Sequence, residues 1–194
     1  MSIHLFHKPL ASLTDDELMT MVSSKDDDRA YSELYRRHAR RLMGFFFRQV
    51  GKDEAAAADL VQDAFMRLWT SRNKFSGTGF STWLFTISFN LLRNHYRHDE
   101  HRKQYELYSS KQQEVAADAH IIEQIDSRDF DLALQRELEK LTPDGRLLFS
   151  LRFEEALTVP QIAEVMAIPE GTVKSRLYKT MNIVRKKLKQ YDNR

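Results

Sequence analysis

Apolar side chains recur along this chain at intervals of three and four residues, and few segments alternate at a period of two, so the pattern predicts helices nearly throughout. Ala30 to Gln49 sets Tyr31, Leu34, Tyr35, Leu42, Phe45 and Phe46 at helical spacing and interleaves Arg36, Arg37, Arg40, Arg41 and Arg48. This predicts an amphipathic helix with an arginine-rich face. A second helix is expected from about Asp53 to Arg72, with Leu60, Ala64, Phe65 and Leu68 on one side and Asp59, Gln62, Asp63 and Arg67 on the other. Asp53 and Glu54 at its start suit the positive end of a helix dipole. A third helix is expected to start near Ser81 or Thr82 and to bury Trp83, Leu84, Ile87 and Leu91, with Asn90, Asn94 and Arg97 projecting together on the opposite face.

Glycine and proline number only six and four, and they fall as punctuation: Gly51, the Ser76–Gly77–Thr78–Gly79 run, Pro143 to Gly145, and Pro160, Pro169 and Gly171. Between Asp99 and about Asp129 the composition turns to Gln, Glu, Asp, Ser and Ala, with little to bury, which is the signature of a linker. The expected organisation is all-α, with two helical domains, 1–98 and 130–194, joined by a flexible acidic linker over 99–129. In the second domain, Thr158–Val159–Pro160–Gln161 has the form of a capping box with proline in the first turn. Val159, Ile162, Ala163 and Met166 follow at i, i+3, i+4 and i+7, and Pro169 disfavours helical geometry at Ile168. The next helix is expected to turn Val173, Leu177, Thr180, Val184 and Leu188 inward and Lys174, Ser175, Tyr178 and Lys179 outward. Two helices joined this tightly, the second basic, fit a helix-turn-helix whose second helix enters the major groove; the alternative is a helical hairpin that packs on other helices.

Charge supports the DNA reading. The formal net charge is only +2, yet 99–131 holds nine acidic and four basic residues, and 172–194 holds eight basic and one acidic. A basic end beyond an acidic middle suits a polyanion-binding module on a solvated tether. There is no cysteine, hence no disulfide and no thiolate metal site. His95, His98 and His101 lie in a basic run with Arg93, Arg97, Arg102 and Lys103, which favours a DNA-facing or solvated surface over a metal face. No metal and no cofactor are expected. Clustered carboxylates or His–carboxylate pairs of the kind an enzyme would need are not evident, so no catalytic residue is assigned. No apolar run approaches the length of a membrane span, and Met1 to Pro9 lacks a signal-peptide pattern, so a cytoplasmic location without membrane insertion is expected.

These residues resemble a family. "IAEVMAIPEGTVKSRLYKTMNIVRKKL" (Ile162 to Leu188), preceded by "LTPDGRLLFSLRFEEALT" (Leu141 to Thr158), is similar to domain 4 of extracytoplasmic-function (ECF) sigma factors, which reads the promoter −35 element. "YSELYRRHARRL" (Tyr31 to Leu42), "DLVQDAFMRLW" (Asp59 to Trp69) and "FSTWLFTISFNLLRNHYR" (Phe80 to Arg97) resemble, in order, the three helices of sigma domain 2. The resemblance implies a non-enzymatic subunit that binds core RNA polymerase, directs it to −35 and −10 elements and promotes DNA melting.

Residue by residue, the resemblance places Asp59, Gln62 and Asp63 against the coiled coil of the polymerase's largest subunit, with the second domain on its flap. It puts Asn90 and Asn94 at the −10 element, the loop Phe75 to Phe80 as the wall of a base pocket, and Arg93 and Arg97 near phosphates. At −35 it puts Ser175, Tyr178 and Lys179 at base edges and Lys174 and Arg176 on or near phosphates, with Thr172 at the start of the same surface. Trp83 is expected in the core. Family members are commonly held inactive by an anti-sigma protein between the two domains, so such a protein is an expected class of partner. Three departures stand out: Ala56, Ala57 and Ala58 where the family has further acidic residues, Ala167 where a turn glycine is common, and Thr180 and Met181 where alanine and arginine are frequent. A helix-turn-helix regulator that acts without docking on polymerase is the competing reading, and it has no need of the Asp59 and Asn90 helices.

Overall fold

Short polar side chains start the helices of the first half by accepting from N–H groups that have no partner inside the helix. The computed structural model describes residues 9–109, 134, 136–138 and 140–188. Among them every regular element is helical. A 3-10 turn, Leu10–Ser12, leads into α1, Asp15–Lys25. The Thr14 hydroxyl accepts from the Glu17 N–H at 3.2 Å while the Glu17 carboxylate accepts from the Thr14 N–H at 2.7 Å, a capping box. Apolar periodicity alone did not point to this helix. α2, Asp28–Gln49, is capped by Asp27, whose Oδ1 accepts from the Arg29 and Ala30 N–H groups at 2.9 and 3.0 Å. α3, Glu54–Thr70, starts where expected, with Asp53 accepting from the Ala56 N–H at 3.0 Å. Between α2 and α3 the Lys52 N–H returns to the Phe47 carbonyl at 2.9 Å, a reversal that needs the left-handed backbone found at Gly51, φ 70°.

α1 and α3 pack on α2. Leu18, Met19, Leu34, Leu42, Phe45 and Leu68 are fully buried, each worth about 1.5–3 kcal/mol of transfer free energy. α4, Phe80–Ser109, joins this core through Phe85, whose ring meets Phe45 edge-on at 5.2 Å. Two expectations are corrected here. The buried stripe of α4 is Phe80, Leu84, Phe85, Ser88, Leu91 and Leu92; Trp83 and Ile87 are half-exposed and fall on the same side as Asn90 and Asn94, since seven residues are nearly two whole turns. Arg37 does not belong to a solvated arginine face. Its guanidinium donates to Asp15 Oδ1 at 2.9 Å, to Glu33 Oε1 at 2.8 Å and to the Leu10, Ala11 and Leu13 carbonyls, fastening the N-terminal segment to α2. Glu33, bonded first by Arg36 and then by Arg37, is held down at about 2.

α4 continues through 99–109, so the opening of the expected linker is helical; its remainder, 110–129, lies outside the described residues. The chain divides into two compact units, Met1–Arg93 with Glu164–Met166 and Asn94–Ala163 with Ala167–Arg194. In the second unit, Thr142 caps α5, Pro143–Phe149, accepting from the Gly145 N–H at 3.2 Å with Pro143 in the first turn. Gly145 is therefore inside the helix, and a Cβ there would meet Thr142 Oγ1 at 3.2 Å and Thr180 Oγ1 at 3.6 Å, a close approach of α5 to the last helix. One wide π turn, Ser150–Glu154, follows. α6, Val159–Met166, and α7, Glu170–Leu188, form the expected pair. The Thr158 N–H donates to Gln161 Oε1 at 2.8 Å, the stronger arm of the box, the return bond from the Gln161 N–H being 3.5 Å. Val173, Leu177, Thr180 and Val184 are buried as expected; the Leu188 side chain lies outside the described residues.

These packing details lead to two testable outcomes. His38 is 7% exposed between Asp15 Oδ2, 2.8 Å from its Nε2, and the Phe80 ring at 5.1 Å. Burial lowers its pKa below 6.5 despite Asp15, with Arg41 and Arg37 acting in the same direction as burial. The folded state then binds this proton less tightly than the unfolded chain, so the stability gained from the neutral ring is present above about pH 6.5 and is lost as pH falls through the folded-state value. Denaturant melts from pH 7.5 to 5 should show the first unit weakening with acid, and a His38→Gln chain should show a flatter dependence. Ala167, at φ 52° in a turn closed by the Ile168 N–H on the Ala163 carbonyl at 3.0 Å, occupies the left-handed position that costs an L-residue roughly 1–2 kcal/mol. Ala167→Gly should stabilise the second unit by about 0.5–1 kcal/mol, after the extra freedom glycine gives the unfolded chain is subtracted; an unchanged or lower melting midpoint would contradict this.

Candidate nucleic-acid interface

The outer face of α3 carries Asp59, Gln62, Asp63 and Arg67, all exposed, as the pattern predicts. Beside this polar stripe lies an apolar feature that it does not predict. Met66 is 55% and Tyr35 48% exposed, and they border an open groove of about 630 Å³ between α2 and α3, lined also by Ala39, Arg40, Met43 and Gln62. Tyr35 is spaced like a core residue. Phe65, whose ring lies 4.7 Å away, is buried beneath it, which leaves Tyr35 on the surface.

The loop before α4 is shaped by two left-handed glycines, Gly77 at φ 91° and Gly79 at φ 76°. Phe75 is half-exposed, but Phe80 is 2% exposed with its ring against His38. The expectation that Phe80 walls a base pocket is thus corrected: with both faces covered it supports the loop from beneath. Phe75 meets the Phe80 ring edge-on at 6.5 Å and also packs on Trp83, half-exposed, its ring centroid 5.4 Å from that of Phe75. The exposed side of α4 therefore reads Trp83, Ile87, Asn90, Asn94 and Arg97 at alternating steps of four and three, with Arg93 alongside. Asn90 and Asn94 are partly exposed; Arg93 and Arg97 are exposed, and the Arg93 guanidinium lies 6.0 Å from the Phe89 ring. This surface combines flat apolar rings, carboxamides that both donate and accept, and fixed cations, the three chemistries that hold unstacked bases and phosphates.

α7 presents Lys174, Ser175, Tyr178 and Lys179 to solvent, Tyr178 being 70% exposed; Thr172 and Arg176 are half-buried. The structure adds carboxylates that the sequence pattern does not pair with this surface. Arg176 Nη1 lies 3.0 Å from Asp144 Oδ2 at the start of α5, and Lys174 Nζ lies 3.7 Å from Glu170 Oε2 one turn earlier. The Lys174 pair was legible as i, i+4 spacing; the Asp144 contact spans 32 residues and had no local signal. The Ser175 hydroxyl donates to the Thr172 carbonyl at 3.0 Å and remains able to accept. Among the described residues, no group of three metal-ligating side chains converges, and no helix is long and apolar enough to cross a membrane.

Comparison with known proteins agrees with this layout. Residues 34–102 match Sigma-70 region 2 and residues 131–182 match Sigma-70, region 4. The chain is 32% identical to RNA polymerase sigma factor CarQ of Myxococcus xanthus, over 77% of this chain and 84% of that one. It is 29% identical to RNA polymerase sigma-H factor of Pseudomonas aeruginosa, over 90% and 93%, and 28% identical to the ECF RNA polymerase sigma-E factor of Haemophilus influenzae, over 91% and 96%. Among solved structures, the fold is similar to CnrH bound to the cytosolic domain of CnrY, with a TM-score of 0.65 at 23% identity over 91% of this chain and 97% of that one. It is also similar to sigma factor RpoE of Bartonella quintana in complex with the anti-sigma factor NepR, with a TM-score of 0.60 at 25% identity over 82% and 96%. With both sigma regions present in the family's order and a relative matched along most of its length, this chain belongs to the sigma-70 family, within its ECF group.

Proposed function

We propose that the chain binds core RNA polymerase, carries it to promoters with −35 and −10 elements, and opens the duplex, without catalysing a reaction of its own. The observation that carries this reading is the exposed ridge of α4, where Trp83, Asn90, Asn94 and Arg97 share one side of a helix whose other side is locked in the core. A regulator that binds closed duplex through a helix-turn-helix has no use for such a ridge, which disfavours the competing reading. The division of labour follows the two bodies: the first, about 1–98, docks polymerase and handles −10, and the second, about 130–194, reads −35. Docking falls to Asp59, Gln62 and Asp63, whose exposed carboxylates and amide suit basic and polar partners; Tyr35 and Met66 beside them supply an apolar anchor. At −10, Phe75 offers a ring while Asn90 and Asn94 meet base edges and Arg93 and Arg97 meet phosphates. At −35, Ser175, Tyr178 and Lys179 face base edges, and Thr172, Lys174 and Arg176 lie along the backbone. An anti-sigma protein is a fitting regulatory partner, since the similar Bartonella sigma factor forms a complex with one. The site of action is then the cytoplasm, where polymerase works.

The deciding test is of melting. Replacing Asn90 and Asn94 together by Ala should leave core binding and −35 duplex binding within about twofold, but should abolish permanganate reactivity of thymines around −10 on duplex promoters. A template already unpaired there should restore much of the transcription. Duplex opening equal to the parent would refute the assignment. At −35, Tyr178→Ala or Lys179→Ala should change discrimination among sequences by about 1–3 kcal/mol for each base edge that is no longer read. Arg176→Ala should weaken all sequences alike, and because Asp144 shares this guanidinium, the slope of log affinity against log salt should fall by less than the roughly 0.9 of a full phosphate contact. Asp59→Ala with Gln62→Ala should weaken core binding by about tenfold, in line with the more than 1 kcal/mol that an anchoring residue contributes.

A further inference from the structure

The first N–H groups of the helix assigned above to −10 are not capped from its own loop. At the start of α4 the N–H groups have no helical partner, and a loop usually meets this need with a local serine, threonine or aspartate. Here the Ser76 hydroxyl is directed at the Thr78 carbonyl at 3.4 Å, and the acceptor comes instead from α1, 64 residues earlier in sequence. Asp16 Oδ1 accepts from the Phe80 N–H at 2.7 Å and its Oδ2 from the Gly79 N–H at 3.3 Å. An ionised carboxylate at the positive end of a helix makes such bonds stronger than neutral ones.

Beyond the Phe75 ring, which packs on Trp83 at 5.4 Å and on Phe80 at 6.5 Å, the loop has little else to fix it. Gly77 and Gly79 both take left-handed backbone, and a Cβ at either would touch nothing within 4 Å, so neither position is set by packing of its own side chain. Asp16, by contrast, is immobilised from both sides. Thr14 and Glu17 close the capping box around it, and the preceding residue, Asp15, is bonded to Arg37 and His38 of α2. His38 also bears on the Phe80 ring, so the ring and the backbone N–H of Phe80 are both fixed from α1 and α2.

We propose that Asp16 is a positioning residue for −10 recognition: by holding the Gly79 and Phe80 N–H groups it sets the conformation of the Phe75 to Gly79 loop, and so the base preference there, without touching DNA. This inference rests on the −10 reading of that loop. The test uses holoenzyme assembled from the full chain and core polymerase, with single-stranded oligonucleotides bearing the −10 sequence of a promoter found by sequencing its transcripts, each position substituted in turn. Asp16→Ala should keep core binding and −35 duplex binding within about twofold while reducing discrimination at one or more −10 positions by about tenfold. Asp16→Asn, which keeps an acceptor oxygen, should recover most of it. Parental discrimination in Asp16→Ala overturns the proposal, as does a uniform loss across all bases and the −35 duplex, which is what a merely structural role gives. Should Asp16→Ala fail to fold, hydrogen exchange in Asp16→Leu, similar in shape but without an acceptor, decides: the Gly79 and Phe80 amides should exchange at least several-fold faster than in the parent, and unchanged rates overturn the proposal. A Phe75→Ala chain separates the two levels. If it too discriminates like the parent, the −10 reading of the loop has failed; if it loses discrimination while Asp16→Ala keeps it, only the role of Asp16 has.

Discussion

The carboxylate of Asp15, set between Arg37 and His38, is the joint on which the first body turns. Arg37 spends its remaining donors on three carbonyls of the N-terminal segment and on Glu33, so one guanidinium ties residues 10–15 to α2. Such a cluster is costly to desolvate and is stable only because each partner is satisfied. It fixes the position of α1 along α2. Hydrophobic contacts of Leu18, Met19 and Val22 would leave that position less sharply set, because apolar attraction has no direction.

The same cluster reaches the surface assigned to promoter DNA. Through His38 it supports the Phe80 ring, and through the neighbouring Asp16 it holds the first N–H groups of α4. With that end of α4 fixed and Phe85 packed against Phe45, Trp83, Ile87 and Asn90 are presented by the part of the helix anchored in the first unit's core. Fixed presentation matters for the role proposed for this surface, which is to take up bases already lifted from the stack. The cost of unpairing, a few kcal/mol, is offset only by groups that need no further ordering when the base arrives.

The second body handles cations differently. On α7 the exposed Lys174 and the half-buried Arg176 already face carboxylates, from Glu170 and Asp144. Exposed pairs of this kind contribute little to stability. They do lower the net positive charge of this surface, which reduces its attraction to any polyanion and, on the proposed −35 reading, leaves more of the selectivity to the uncharged groups around Tyr178.

Helices α2, α3, α6 and α7, the exposed polar stripe of α3 and the outward Lys174, Ser175, Tyr178 and Lys179 of α7 were legible in the amino-acid order, because an amphipathic period and a capping box are written within a few neighbouring residues. Helix α1 was not, since its signal is a short capping box and a handful of apolar residues beside a charged run. Sequence by itself also misassigned the sides of α4: with Trp83, Leu84, Phe85, Ile87, Phe89 and Leu91 in one stretch, apolar residues surround the helix, and only packing against Phe45 and His38 decides that Phe80 and Phe85 go in while Trp83 stays half out. Local periodicity determines that a helix forms and where it starts. Which residues accept its free N–H groups, as Asp16 does for α4, and which carboxylates shadow its cations, as Asp144 does for Arg176, depends on segments 64 and 32 residues apart, and such distances carry no period to read.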